Sequence, residues 1–243
     1  MSGHSKWAKT HRQKSATDAK KGAVFTKLGN LITMAAKEGG SDLNSNFRLR
    51  LLLDKARVAN MPKENIERAI KRGTGEGSEK NHFEELLYEI FGPEGSVFLV
   101  EAITDNKNRT VGELKTVANK NGGQLGGQNS VAWMFDRFGF VNIDKNQIEK
   151  IDQEELELTL IDAGATDIDK SDDWEILCEV ETLQNILTVL KNKNIDTKES
   201  GIAFFAKNNI KIESQDSQDK IENFYNLIDD LDDISNVYTN ATW

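Results

Sequence analysis

The sequence predicts an α+β protein: an N-terminal helical domain followed by two ferredoxin-like α+β domains, one inserted in the other. Three observations lead there. Apolar residues recur at three- and four-residue steps through the first 80 residues, as short packed helices require. From Phe83 onward, strand-like runs alternate with helical stretches in the order β-α-β-β-α-β. Charge also changes sign: residues 1–80 hold 17 Lys and Arg against 8 Asp and Glu, while the rest hold 14 against 32. The boundaries that follow are 1–80 for a basic helical domain with an N-terminal arm and linker, 138–207 for the inserted domain, and 81–137 plus 208–243 for the domain that receives it.

The first helix is expected from Ser15 to Lys37, stopped by Gly39-Gly40, with Phe25, Leu28, Ile32 and Ala35 facing the core. At about 100° per residue, Lys14 and Lys21 share the azimuth of that stripe. Continuing the packed helix upstream would press both into the core, where an unpaired charge is costly. Residues 2–21 are therefore expected to project as a loose basic arm. A second helix fits 45–59, capped by Ser45 or Asn44, with Phe47, Leu51, Leu52 and Ala56 inward. Pro62 suits the first turn of a third helix that buries Ile66, Ala69 and Ile70 and ends at Gly73. GTGEGSEKN, residues 73–81, reads as a flexible linker.

Beyond it, LLYEIFGPEGSVFLVEAIT reads as two strands around a turn at Gly92–Gly95. A helix over Thr110–Asn121 follows, and Asp105 to Thr110 supply its turn and N-cap. VAWMFDRFGFVNI is a strand pair or one bent strand. Helices are expected at Gln147–Ala163, Leu183–Lys193 and Gln218–Leu231, and strands at Ala165–Ile168, Trp174–Val180, Gly201–Lys207, Asn209–Glu213 and Asn236–Thr239.

Composition excludes several classes of function. Cys178 is the only cysteine, which rules out an intrachain disulfide and a cysteine-clustered zinc site, and its strand-forming neighbours point to a buried, inert thiol. No apolar run approaches the length of a membrane span, and no apolar signal core follows the basic start, so a cytoplasmic protein is expected. There is no G-x-x-x-x-G-K-[ST] loop, no H-E-x-x-H and no G-x-S-x-G elbow. The runs DQEELE, DKSDD and DDLDD read as solvated faces and turns. The expectation is a non-enzymatic protein with no cofactor, no metal and no small-molecule substrate; its oligomeric state is left open.

Two sites stand out. Between Gly3 and Leu31 the chain gathers Lys6, Lys9, His11, Arg12, Lys14, Lys20, Lys21 and Lys27 around Trp7, with Asp18 the only acid. Arg48, Arg50, Arg57, Lys63, Arg68, Lys71 and Arg72 extend this surface along the next two helices. Exposed patches ordinarily mix signs; this one fits contact with the phosphates of a nucleic acid. Trp7 and His11 could stack on bases, which suits RNA or single strands better than duplex DNA, although Trp7 could equally anchor the arm to the first helix. The second site is the glycine-rich loop Gly122, Gly123, Gln124, Leu125, Gly126, Gly127, Gln128, Asn129 and Ser130, running into Val131-Ala132-Trp133. It is either a turn leading to a strand with buried aromatics or a mobile finger for a narrow place in a partner.

Several blocks together resemble the YebC family, also called PmpR, which includes the mitochondrial translational activator of cytochrome c oxidase subunit I. They are GHSKW at 3–7, DAKKGAVFTKL at 18–28, NMPKENIERAIKRGTG at 60–75, TDNKNRTVGELK at 104–115, GGQLGGQNSVAWMF at 122–135 and NVYTN at 236–240. The resemblance implies a helical domain plus two α+β domains, one interrupting the other. It departs at Thr10–Lys14, where a K-H-R-K run is usual, at Asn129, where glycine is usual, and at Ala206, a frequent proline. Family members are described both as DNA-binding transcriptional regulators and as ribosome-associated factors that ease slow peptide synthesis at proline runs. The second is favoured here, with rRNA as the partner, because the short helices show no clear base-reading helix-turn-helix. DNA-binding transcriptional regulation is the alternative, and an enzyme acting on nucleic acid a remote third.

Overall fold

The computed structural model describes residues 18–76, 83–149 and 151–243, residues 18–21 as backbone alone. Its contacts divide it into two compact units, residues 135–205 and the remainder.

The helical module consists of α1 (Asp18–Gly39), α2 (Phe47–Val58) and α3 (Lys63–Thr74). The predicted stripe of α1 is its core face: Ile32 and Ala35 are buried with Leu49, Leu52, Leu53, Ala56, Met61 and Ala69, and Phe25 and Leu28 pack against them. Asp18 to Lys21 already belong to the helix, where the sequence placed the end of the arm. The cap of α2 differs as well. Asn46, not Ser45 or Asn44, accepts the Leu49 N–H at 2.9 Å, and its amide also donates to Ala35 O and Gly40 O, each at 2.8 Å. One buried side chain thereby satisfies a helix start and two carbonyls of the preceding turn.

Gly73 does not end α3. The helix continues to Thr74 and stops at Gly75, whose φ of 79° is left-handed. Gly73 instead lets α3 cross α1 closely: a Cβ there would lie 2.3 Å from Thr33 O and 2.7 Å from Ala36 Cβ. The predicted linker accordingly begins later than residue 73, and residues 77–82 lie outside the described residues.

In the same unit, β1 (Glu84–Phe91), β2 (Val97–Thr104), α4 (Lys107–Lys120), β3 (Gln124–Leu125), β8 (Ile210–Lys211), α8 (Gln215–Asp229), β9 (Ile234–Thr239) and β10 (Ala241–Thr242) form the interrupted α+β part. Its antiparallel sheet runs β3-β1-β2-β9, and β8 pairs with β10 in parallel. Ile90, Phe98, Val100 and Ala102 meet Leu114 and Ala118 of α4 and Ile221, Phe224 and Ile228 of α8. Alternation turns Ile103 to the other face, where it packs with Phe83 against Met34 and Leu31 of α1. The order is that of a ferredoxin-like sheet, except that β1, first in the chain, fills the slot between β2 and β3.

The inserted unit comprises β4 (Phe135–Ile143), α5 (Lys145–Ile148), α6 (Gln153–Asp162), β5 (Ala165–Asp169), β6 (Trp174–Cys178), α7 (Leu183–Asn192) and β7 (Glu199–Ala206). Its sheet runs β5-β6-β4-β7, the ferredoxin-like order read from the pattern. The single helix expected at 147–163 is two, because Asp152 accepts the Glu154 and Glu155 N–H groups and restarts the helix. Cys178 is buried, and burial pushes its thiol pKa up, as an inert sulfur requires.

The run DDLDD is not solvated throughout. Asp233 is buried and accepts from Thr104 Oγ1 at 3.0 Å, Thr110 Oγ1 at 2.6 Å and Arg109 Nη2 at 2.8 Å. Its hydrogen bond raises the Arg109 pKa above the ordinary value. Asn106, within the expected turn, caps α4 by accepting the Arg109 N–H at 3.1 Å, and the helix starts at Lys107, three residues before the expected Thr110. Asp233→Asn keeps the shape, loses the charge and forces an amide donor onto hydroxyl donors. It should cost about 2 kcal/mol in urea denaturation.

Candidate nucleic-acid interface

Lys6, Trp7, Lys9, His11, Arg12 and Lys14 lie outside the described residues; Lys20 and Lys21 lie on the first turn of α1. Of the remaining basic residues, three are committed to the fold. Lys27 reaches Asp229, contacting its backbone carbonyl and its Oδ1, the latter at 3.1 Å. Arg48 bridges Glu38 at 2.7 Å and Glu85 at 2.7 and 2.9 Å, joining the helical module to β1. Arg72 donates to Thr33 Oγ1 at 2.8 and 3.0 Å and covers the Phe83 ring at 4.9 Å. Such charges are spent on internal carbonyls, carboxylates and rings before any ligand arrives.

Arg57, Lys63, Arg68 and Lys71 are exposed, and Arg50 is half-buried. Arg57 pairs with Asp54 at 2.7 Å and Lys63 with Glu67 at 3.6 Å, both pairs exposed and readily exchanged for phosphate. Arg50 lies over Phe47 at 5.4 Å. Arg68 and Lys71 are exposed one turn apart on α3, and neither makes an ion pair among the described residues. The same face carries exposed Glu64 and Glu67 in its first two turns. No His, Cys, Asp or Glu cluster among the described residues could hold a metal, and none of the described helices is long and apolar enough to cross a membrane.

The glycine-rich loop is held by a residue that sequence reasoning did not single out. Glu89, on β1 and only 6% exposed, accepts the N–H groups of Asn129 and Val131 at 2.6 Å each and of Ala132 at 2.8 Å. Ser130 Oγ approaches the same carboxylate at 3.5 Å. A signal existed: an acid inside the apolar run LLYEIF, alternating with Tyr88 and Ile90, which turn toward the helices. Asn129 takes φ 61°, a left-handed conformation that its short polar side chain tolerates. Gly123 allows close packing, since a Cβ would lie 2.6 Å from the Phe224 ring, whereas nothing lies within 4 Å of a Cβ at Gly127.

After the loop, Ala132–Met134 forms a 3-10 turn before β4 instead of strand. Phe135 is buried as a strand aromatic should be, but Trp133 is 65% exposed, its indole N–H donating to Ser130 O at 3.1 Å.

Comparison with known proteins places this architecture. The model of the TACO1/YebC protein N-terminal domain matches residues 5–76, and that of the TACO1/YebC second and third domain matches 83–241. A probable transcriptional regulatory protein of Thermoanaerobacter pseudethanolicus is 44% identical over 242 residues, covering 99% of this chain and 97% of its own. One from Fusobacterium nucleatum is 42% identical over 241 residues, covering 99% and 95%. The crystal structure of a conserved hypothetical protein from Aquifex aeolicus superposes with a TM-score of 0.82 at 33% identity, covering 94% of this chain and 93% of that one. With both family models matched and identity above 40% over nearly all of its length, the chain belongs to the TACO1/YebC family.

Proposed function

We propose that this chain is a non-enzymatic regulator of gene expression that grips the phosphates of a nucleic acid with its N-terminal helical module and presents the 122–135 loop as a second contact. RNA of the ribosome is the favoured target. The observation that carries the reading is the segregation of charge: a basic module joined to a body with more than twice as many acids as bases. The names of the relatives, probable transcriptional regulatory proteins, support a nucleic-acid partner in general terms. A duplex-reading helix inserts its first turns into a groove walled by two phosphate backbones, which would repel Glu64 and Glu67 of α3, whereas Arg68 and Lys71 further along the same face can meet a single backbone at an RNA surface. That favours RNA surfaces over a DNA groove.

Co-sedimentation with purified ribosomes tests the reading. Binding should fall with salt, with a slope of log K against log salt of roughly −4 for about six contacts to single-stranded RNA. Arg68→Ala with Lys71→Ala should reduce the magnitude of that slope by roughly 1.4. Arg72→Ala should instead lower stability, because its guanidinium is already committed to Thr33 and Phe83. Absence from the ribosome pellet together with a protected promoter fragment would favour the DNA-binding alternative.

A further inference from the structure

The glycine-rich loop resembles a phosphate cradle in composition, yet its backbone donors are occupied. The N–H groups of Asn129, Val131 and Ala132 point at the Glu89 carboxylate. An incoming phosphate would find an anion already in the nest and would be repelled by it. From Gly122 through Phe135 the chain carries no charged residue, so nothing on the loop offers a phosphate a counterion. What the loop does offer is a flat aromatic face. Trp133 is 65% exposed, and because its only polar side-chain atom is bound to Ser130 O, what it offers a ligand is the apolar ring. The ring is oriented by a turn that Glu89 fixes at three points. The same loop carries the exposed amides of Gln124, Gln128 and Asn129, each with both a donor and an acceptor.

We infer that Trp133 is a stacking platform for an unpaired nucleobase, with Glu89 as the positioning residue that sets the ring and the loop amides available to the base edge. The inference rests on the nucleic-acid reading above and divides its labour. Basic side chains of the helical module hold the phosphate backbone, and the uncharged loop holds a base. Every base has a π face, so stacking alone is tolerant of sequence; the amides supply whatever preference exists. A base in a duplex has both faces covered, so the platform requires a single-stranded, bulged or splayed nucleotide.

Two fluorescein-labelled probes test it: a single-stranded RNA 15-mer and an abasic oligomer of the same length and charge. The wild-type chain should prefer the base-bearing probe. Trp133→Ala should weaken that probe alone, by about 5- to 100-fold, with the salt slope and the abasic affinity unchanged. Trp133→Phe, which keeps a ring in the same place, should retain most of the preference, and Glu89→Gln should lose part of it without changing the slope. Equal affinity of the wild type for both probes, or Trp133→Ala binding the RNA as the wild type does, would overturn the inference and leave the phosphate-binding role standing. Equal loss on both probes in Trp133→Ala would also overturn it. Failure of the wild type to bind either probe would defeat the nucleic-acid reading itself, and this inference with it.

Discussion

Glu89→Ala should destabilise the unit that holds the helical module and the interrupted sheet by about 4 kcal/mol in denaturant unfolding. The carboxylate is buried and receives three backbone N–H groups at 2.6 to 2.8 Å. Removing it strands all three, and a buried donor without an acceptor costs on the order of 1–3 kcal/mol. Water entering the vacated space recovers part of this, which is why the expected figure is less than three full penalties. Glu89→Gln keeps one acceptor oxygen but turns an amide donor toward other donors, so it should be intermediate. Hydrogen exchange gives the local readout: the amides of Asn129, Val131 and Ala132 should lose protection before those of β2. Unchanged protection of these three amides in Glu89→Ala would contradict the role assigned to the carboxylate.

Gly73→Val should cost the same unit about 3 kcal/mol, entering through the crossing of α1 and α3. A Cβ at this position would sit 2.3 Å from Thr33 O, a backbone atom that no rotamer change can move. Helices α1 and α3 would have to part, and the buried neighbours Ile32, Ala35 and Ala69 would lose contact across the gap. Overpacking of this kind costs roughly 1–3 kcal/mol, and valine, whose helix propensity exceeds that of glycine by only a few tenths of a kcal/mol, offsets little of it. Gly73→Ala should be milder, because alanine's better helix propensity returns about 1 kcal/mol. Circular dichroism melts of the three proteins should rank them Gly, Ala, Val in falling midpoint. A Gly73→Val midpoint equal to that of the wild type would show that the crossing is not tight.

What was legible in the sequence was whatever local repetition controls. The stripe Phe25, Leu28, Ile32 and Ala35 faces a core because burial selects apolar residues at the helical period, and the ferredoxin-like orders follow from alternating elements. What was hidden depends on partners distant in the chain. Asn46 caps α2 because it also serves Ala35 O and Gly40 O, a contact that makes it a better cap than the adjacent Ser45. Lys27 reads as one more cation in a basic stretch until Asp229, 202 residues later, is seen beside it. Arg48 and Arg72 are similar, and so the basic surface on the folded helices is narrower than the composition implied. Gly73 and Gly75 look interchangeable as helix terminators, yet only Gly75 has the left-handed backbone and only Gly73 the close crossing. Within the loop, nine residues could be named from glycine spacing, but the carboxylate that shapes them lies on another strand.

Helix α1 belongs to two cores. Ile32 and Ala35 are buried with α2 and α3, while Met34 is buried with Phe83 and Ile103 of the sheet, and Leu31 touches both sets. Thermodynamically, a shared wall of this kind removes the independence of the rooms on either side. The helical module should show no separate melting transition, because losing α1 uncovers Phe83 and Ile103 of the sheet part and losing that part bares Met34. The point between residues 76 and 83 where the two family models meet is therefore a seam in sequence and not in cooperativity. An event at the basic helices is linked to the strand that carries Glu89, so the proposed grip on a phosphate backbone and the posture of the loop share one unfolding free energy.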